Sequence, residues 1–356
     1  MKTKPDLAAL SAGTSSALAA ASLIVLLSST SLVRGQDAVA NLVTPDNFPR
    51  AETDRYFASR VDETGLGKLE HAREPFDVQH QNVVRGNRDT LYSSGVFDLA
   101  AGPVTITMPD AGKRFMSLFV VNEDHYVTDI FHGSGSHTLT QDHAGTRYVL
   151  LGVRTLIDPA NAADMDEAHQ LQDAIKVEQP GGPGTFDIPD WDSASRDKVR
   201  SALLELNSTL TSFDHAFGTK DEVDPVHHLI GTAAGWGGNP DSEATYMAIT
   251  PHQNDGTTVY KLHVPGDVPV AGFWSVSVYN AKGYYTPNSL NAYSLNNITA
   301  TKAADGAVDV QFGGCDGKIA NCLPIEPGWN YTVRLYQPGQ QILDGSWKFP
   351  DPQPVQ

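Results

Sequence analysis

Asn87, Arg88, Asp89, Thr90 and Tyr92 set an amide, a guanidinium, a carboxylate, a hydroxyl and a phenol within six residues of the stretch Val83-Val84-Arg85-Gly86-Asn87-Arg88-Asp89-Thr90-Leu91-Tyr92-Ser93. If this stretch is extended, alternation sends Asn87, Asp89 and Leu91 to one face and Arg88, Thr90 and Tyr92 to the other. One reading makes Asn87 and Asp89 the lining of a pocket, with Asp89 as acid/base, metal ligand or hydrogen-bond acceptor and Tyr92 nearby. The other makes the same groups a buried network at a strand entry. A second cluster, Asn122-Glu123-Asp124-His125-Tyr126, follows the apolar run 115–121. Adjacent residues of a strand point apart, so Asp124 and His125 are no acid–base dyad by themselves, although either could reach Asp89 across strands. The candidate catalytic pair is therefore Asp89 and His125, with Asn87, Tyr92, Asp124, Tyr126 and Tyr279 as candidate substrate-binding residues.

Other chemistries find less to stand on. His132, His137 and His143 lack the spacing of a His-x-His or His-Glu-x-x-His metal site and read as unrelated histidines on a glycine-rich surface hairpin. No cofactor is expected, and a divalent metal is left open. Gly133-Ser134-Gly135-Ser136 is not a nucleophile elbow, and no phosphate-cradling glycine loop precedes a helix. Trp274, Tyr279, Tyr284, Tyr285 and Trp329 could stack on a sugar, with Trp274 and Trp329 better read as core. Asn207, Asn297 and Asn330 open glycosylation sequons, of which Asn297, in a turn, is the best placed.

The elements that must position these residues are mostly strands. Short β-branched and aromatic runs at 96–99, 104–108, 115–121 and 148–153 recur at the spacing of an antiparallel sandwich. The pattern returns at 258–264, 273–279, 308–312 and 331–336, separated by Asp255-Gly256, Asp305-Gly306 and Pro327-Gly328. Between them lie three helical stretches. Asp158 and Pro159 open one over 159–175; Ser193 or Ser195 caps another carrying Val199, Leu203, Leu206, Leu210 and Phe213; Asp224 and Pro225 start the third. A further helix is expected at 49–61, capped by Asp46. The organisation expected is a first β domain at 45–155, a helical connector at 156–235 and a second β domain at 236–350. The fold class is mainly β with helical additions, two antiparallel sandwich or jelly-roll-like domains joined by the connector.

The 356-residue chain carries a formal net charge of −17. Lys2 and Lys4 precede an apolar run, then Ser/Thr-rich sequence and Gly35, so residues 1–35 read as a cleaved signal peptide and the protein as secreted or periplasmic. The run is short for a membrane span. Loss of Lys2, Lys4, Arg34 and Asp6 takes the charge from −17 to −19, a field that disfavours nucleic acid, while membrane attachment is not expected after cleavage. Cys315 and Cys322, the only cysteines, read as a local disulfide worth roughly 2 to 3 kcal/mol.

The Asn87–Tyr92 signature resembles that of the family called domain of unknown function 1254. The carboxy-terminal half resembles its usual companion, domain of unknown function 1214, through Trp236-Gly237, Asp255-Gly256 with Tyr260, the block from Gly272 to Tyr279, Tyr293-Ser294-Leu295, Asp305-Gly306, Leu323-Pro324, Arg334-Leu335-Tyr336-Gln337-Pro338 and Gly345-Ser346-Trp347. That family commonly has Trp before Leu323, where this chain has Cys322. The resemblance implies two β-sandwich domains with helical additions and no established reaction. Two function classes follow: a hydrolase or lyase acting on a small organic or saccharide substrate, or a non-catalytic glycan-binding or surface-assembly module. A homo-oligomer fits either.

Overall fold

A five-stranded antiparallel sheet holds the first half. Its strand order is Glu70–His71, Thr90–Asp98, Tyr148–Leu156, Met116–Asn122 and Val127–His132. The computed structural model describes residues 40–355 apart from Asn82 and Thr211, so the signal-peptide reading of 1–35 lies outside the described residues. A three-stranded sheet, Gly135–Leu139, Val104–Met108 and Lys176–Glu178, completes the first sandwich. Alternation along each strand sends Phe97, Ile106, Leu118, Val120, Leu151 and Val153 into the core.

The opposite face of the five-stranded sheet is also covered. Phe57 and Val61, from helix Phe48–Thr64, and Trp236 pack on Val96, Phe119, Val121, Tyr148 and Leu150. Phe48 and Ala51 of the same helix meet Leu203 of helix Ser193–Asn207 and Ile230 and Ala233 of helix Pro225–Ala234, forming a helical layer. Burial on both faces explains why Met116–Asn122 is buried throughout and carries the apolar run Leu118–Val121 instead of alternating.

The second half is a sandwich of two four-stranded sheets. One runs Ser294–Asn296, Trp274–Tyr279, Asn330–Tyr336 and Ala244–Ile249; the other runs Cys322–Leu323, Val308–Phe312, Tyr260–Val264 and Gln353–Pro354. Trp274, Val276, Val310, Phe312, Trp329 and Val333 fill its core. The Cys315–Cys322 disulfide forms and secures the short strand that pairs in parallel with Val308–Phe312. Both sandwiches belong to the compact unit beginning at Ala40. Among the described residues, no helix is long and apolar enough to cross a membrane.

Several local expectations change. Asp46 caps nothing: Asn47 precedes the first helix, and its side-chain oxygen accepts from Thr44 N instead of a helical N–H. Asn161, not Asp158, caps helix Ala162–Ala174, because its side-chain oxygen reaches the N–H groups of Ala163 and Asp164. Asp192, rather than Ser193 or Ser195, caps the next helix. That helix ends at Asn207, so Leu210 and Phe213 fall outside it despite matching its period. No hairpin carries His132 to His143; Gly133-Ser134 hands the chain from the five-stranded to the three-stranded sheet, while His132 meets Glu243 and His143 meets Asp129.

Candidate functional site

Strand Thr90–Asp98 begins only after the signature loop, so Asn87 and Asp89 do not share a strand face with Leu91. Arg85 has φ 52°, a left-handed turn that directs the loop against the second half. There its N–H donates to Gly283 O at 2.7 Å, and its guanidinium donates to Asn330 Oδ1 and Thr332 Oγ1, both at 2.9 Å. Arg334 donates to Arg85 O at 2.8 Å and to the Tyr279 hydroxyl at 2.7 Å. Tyr279 and Tyr285 both donate to Gly86 O, at 2.7 and 2.8 Å. Apolar seams flank this polar seam: Phe115 and Leu156 against Phe273 and Tyr336 on one side, Phe76 and Val78 against Tyr279 and Tyr285 on the other.

Asp89 lies inside this junction at 1% exposure. Asn296 Nδ2 donates to its Oδ1 at 3.2 Å, while Oδ2 has no partner. Burial raises its carboxyl above the ordinary value, with Arg334 pulling the other way. Asp89 thus stands among the groups of the junction, enclosed from solvent.

Asn87 faces a more open part of the junction. Its amide donates to the hydroxyl of Tyr92 at 3.1 Å, from the first half, and to that of Tyr336 at 3.2 Å, from the second. Beside Tyr92 stands Arg154, its register partner on strand Tyr148–Leu156. The guanidinium carbon lies 5.7 Å from the Tyr92 ring centroid and 5.0 Å from that of Phe119. Arg154 donates to Asn239 Oδ1 and to Gly237 O, both at 3.0 Å. Asn239 in turn donates to the Tyr246 hydroxyl at 3.0 Å. Asn87, Tyr92, Arg154 and Tyr246 are each half-buried, and Tyr336 is buried.

The electrostatics are one-sided. Burial pushes the phenols of Tyr246 and Tyr336 above their ordinary range, so both remain hydrogen-bond donors. The hydroxyls of Tyr92, Tyr246 and Tyr336 each accept a bond from an asparagine amide, and among the described residues their own hydrogens find no acceptor. Arg154 gives two N–H groups to Asn239 and Gly237, the Tyr92 hydroxyl stands close against it, and among the described residues no carboxylate forms an ion pair with it. This collection of donors can bind and polarise an oxygen-rich group.

His125 is tied to the cluster through one residue, Gly237. Its Nε2 accepts from Gly237 N at 2.9 Å, and Gly237 O is the acceptor for Arg154. His125 Nδ1 meets Thr232 Oγ1 at 2.8 Å, and that hydroxyl donates to His228 O at 2.8 Å, so the ring proton belongs on Nδ1. Burial, reinforced by His228, holds the imidazole well below its ordinary range. Both nitrogens are engaged within the protein and the ring is 1% exposed. Its φ of 65° also removes it from a strand.

The remaining candidates scatter. Asp124 pairs with Arg50 at 2.7 Å, and Tyr126 stacks on His228 at 4.7 Å, both away from Arg154. Tyr279 is buried against Gly86, with no open ring face for a sugar. Asn330 is buried and bonded to Arg85 and Asn280, so the fold encloses that sequon. Asn207 and Asn297 keep intermediate exposure. Among the described residues no group of histidines, cysteines and carboxylates is arranged to hold a metal ion. Arg154, Asn239, Tyr246 and Tyr336 were not among the candidates; a lone arginine immediately after the apolar run 148–153 was the available signal.

The family described as "Protein of unknown function (DUF1254)" matches residues 66–142, and that described as "Protein of unknown function (DUF1214)" matches residues 244–340. The signature loop falls in the first match, and Tyr246 and Tyr336 fall in the second. No curated protein matches the chain. Among solved structures, the VPA0106 protein from Vibrio parahaemolyticus aligns with a TM-score of 0.67 at 19% identity, covering 88% of this chain and 98% of that one. An uncharacterised protein from Burkholderia cenocepacia aligns with a TM-score of 0.51 at 13% identity, covering 87% and 88%. At these identities the likeness extends to the fold alone.

Proposed function

We propose that this chain, which pairs the DUF1254 and DUF1214 families, is a secreted or periplasmic protein that binds a small organic molecule at the junction of its two halves and acts on it as a hydrolase or lyase. The observation that carries the reading is the half-open cluster of donors contributed by both halves: Asn87, Tyr92 and Arg154 from one, Asn239, Tyr246 and Tyr336 from the other. A ligand seated there touches both sandwiches, which gives a reason for the two domains to be joined. Neutral phenols beside a fixed guanidinium stabilise negative charge that develops on oxygen, as in attack on a carbonyl or elimination next to one. Incubating the purified protein with pools of small organic molecules and following their masses tests this. Consumption of a pool member by the wild type and not by Arg154→Met supports the reading, and equal consumption by both removes the site.

A second reading, glycan binding, has one observation in its favour. A cleft of ≈ 120 Å³ is lined by Asn280, Thr286, Asn288 and Glu326 together with Tyr293, amides, a hydroxyl and a carboxylate suited to the hydroxyls of a sugar edge. A glycan array without a hit counts against it.

A further inference from the structure

We infer that the ligand of the junction is a small organic carboxylate whose carboxyl group sits on the Arg154 guanidinium and takes hydrogen bonds from the Tyr92, Tyr246 and Tyr336 hydroxyls. The inference rests on the junction being the ligand site and adds the chemical class of what binds there.

Charge comes first. Arg154 is a permanent cation in a strand that is otherwise largely apolar, and its protein partners are an amide oxygen and a peptide oxygen, both neutral. A buried charge without an ionic partner is costly, and aromatic faces offset only part of that cost. An anion from solution supplies the missing half. Hydrogen bonding agrees with charge. Among the described residues the hydrogens of the three phenols and the remaining N–H groups of Arg154 meet no acceptor carboxylate or carbonyl, so the site offers donors and asks for a group made only of acceptors. A carboxylate is such a group, and its planar pair of oxygens matches the planar fork of a guanidinium.

The magnitude of the charge separates carboxylate from phosphate or sulfate. Among the described residues Arg154 is the one cation beside the Tyr92 hydroxyl and bonded to Asn239, while the hydrogen bonds of Arg334 go to Arg85 O, Ser277 and Tyr279 and those of Arg85 to Asn330 and Thr332. The chain carries −17 overall, a field that opposes dianions more than monoanions. The walls suit an organic body: Phe119 lies under the guanidinium, and the Phe115 ring packs 5.3 Å from that of Tyr336.

The test uses matched probes and the full protein. Acetate, propionate and benzoate are titrated beside acetamide, propionamide and benzamide, and inorganic phosphate and sulfate are run in parallel. Affinities for wild type and variants are read by isothermal titration calorimetry, and contact with Arg154 in the wild type by its side-chain Nε–Hε resonance, identified by its loss in Arg154→Lys. Carboxylates are expected to shift that resonance and to bind at least about tenfold more weakly to Arg154→Lys, the loss expected when a bidentate charged contact is removed, whereas the amides leave it in place. Unfolding of each variant is recorded alongside, and if Arg154→Lys does not fold, Tyr336→Phe replaces it for the affinity comparison, with a loss of several-fold expected. Amides that act as well as the acids, or phosphate or sulfate that binds more tightly than every carboxylate, overturn the carboxylate class. Silent carboxylates together with neutral pool members that bind through Arg154 overturn the class alone. Silence of both the carboxylates and the pools overturns the junction as a ligand site.

Discussion

Arg334 holds the backbone of Arg85 across the junction, donating from Nη2 to the Arg85 carbonyl at 2.8 Å. One arginine from the middle of a second-half strand thus fixes the first-half signature loop. The same guanidinium bonds Ser277 at 2.9 Å and Tyr279 at 2.7 Å, so the loop, the Trp274–Tyr279 strand and the Asn330–Tyr336 strand are joined through a single side chain.

Arg334→Met should therefore be severe. It leaves buried carbonyl and hydroxyl groups short of partners, with a loss on the order of 3 kcal/mol or more. Urea unfolding of the purified variant measures it, and a loss below about 1 kcal/mol, the size of an ordinary surface change, contradicts the clamp.

Arg154→Met should behave in the opposite way although it removes the same kind of residue from the same kind of strand. Among the described residues no carboxylate pairs with Arg154, and its removal leaves two acceptors, Asn239 Oδ1 and Gly237 O, at a half-buried place where water can replace the guanidinium. Replacing an unpaired, half-buried charge with an apolar chain of similar length should change ligand-free stability by no more than about 1 kcal/mol in either direction. Parallel calorimetry of the two variants checks the contrast, and similar losses in both contradict a ligand-binding role for Arg154.

His125 should stay neutral, with its proton on Nδ1, between pH 5 and pH 8. Nitrogen NMR of the imidazole reads the tautomer and its titration directly, and a midpoint near the ordinary histidine value of about 6.5 contradicts the assignment. His125→Asn, which tolerates the left-handed backbone at φ 65°, should weaken ligand binding by several-fold while leaving the shape of the pH profile unchanged.

Asp54 gives the fold a pH dependence. Its carboxyl is 0% exposed, Oδ1 has no partner, and burial raises its pKa to about 6, the hydrogen bond from Trp191 opposing the rise. The folded state therefore holds a proton more tightly than the unfolded chain, and Asp54 costs stability above pH 6 that returns as the pH falls toward 4. His125 and His228, both lowered by burial, work in the other direction, since acid protonates them more readily in the unfolded chain. Asp54→Asn should accordingly raise stability at pH 8 by about 1 to 3 kcal/mol and have little effect at pH 4. Denaturant titrations at the two pH values measure the difference, and an equal effect at both contradicts the buried-acid account.

How much of this was legible in the sequence depended on periodicity. Strands with one wet face, such as Val104–Met108 and Tyr260–Val264, alternate visibly, and helix Pro225–Ala234 announced itself through Asp224 and Pro225. The two resemblances and the disulfide were also legible. Site geometry was less so, because it depends on contacts between distant segments. The alternation that an extended stretch gives Asn87 and Asp89 does not apply, because the strand starts at Thr90, and only the packing of distant segments places Asp89 in the junction. The type of His125 suggests chemistry, whereas its left-handed backbone and two bonded nitrogens are tertiary facts. Arg154 sits one residue beyond the apolar run, and its want of an ion-pair partner among the described residues is visible only in three dimensions.

The central claim is that a small molecule occupies the junction in front of Arg154. Diffraction from crystals soaked with the tightest-binding member of the small-molecule pools tests it most directly. The account predicts ligand density within hydrogen-bonding distance of the Arg154 guanidinium and of at least one of the Tyr92, Tyr246 and Tyr336 hydroxyls. Ligand density elsewhere, with the junction filled only by water, contradicts it.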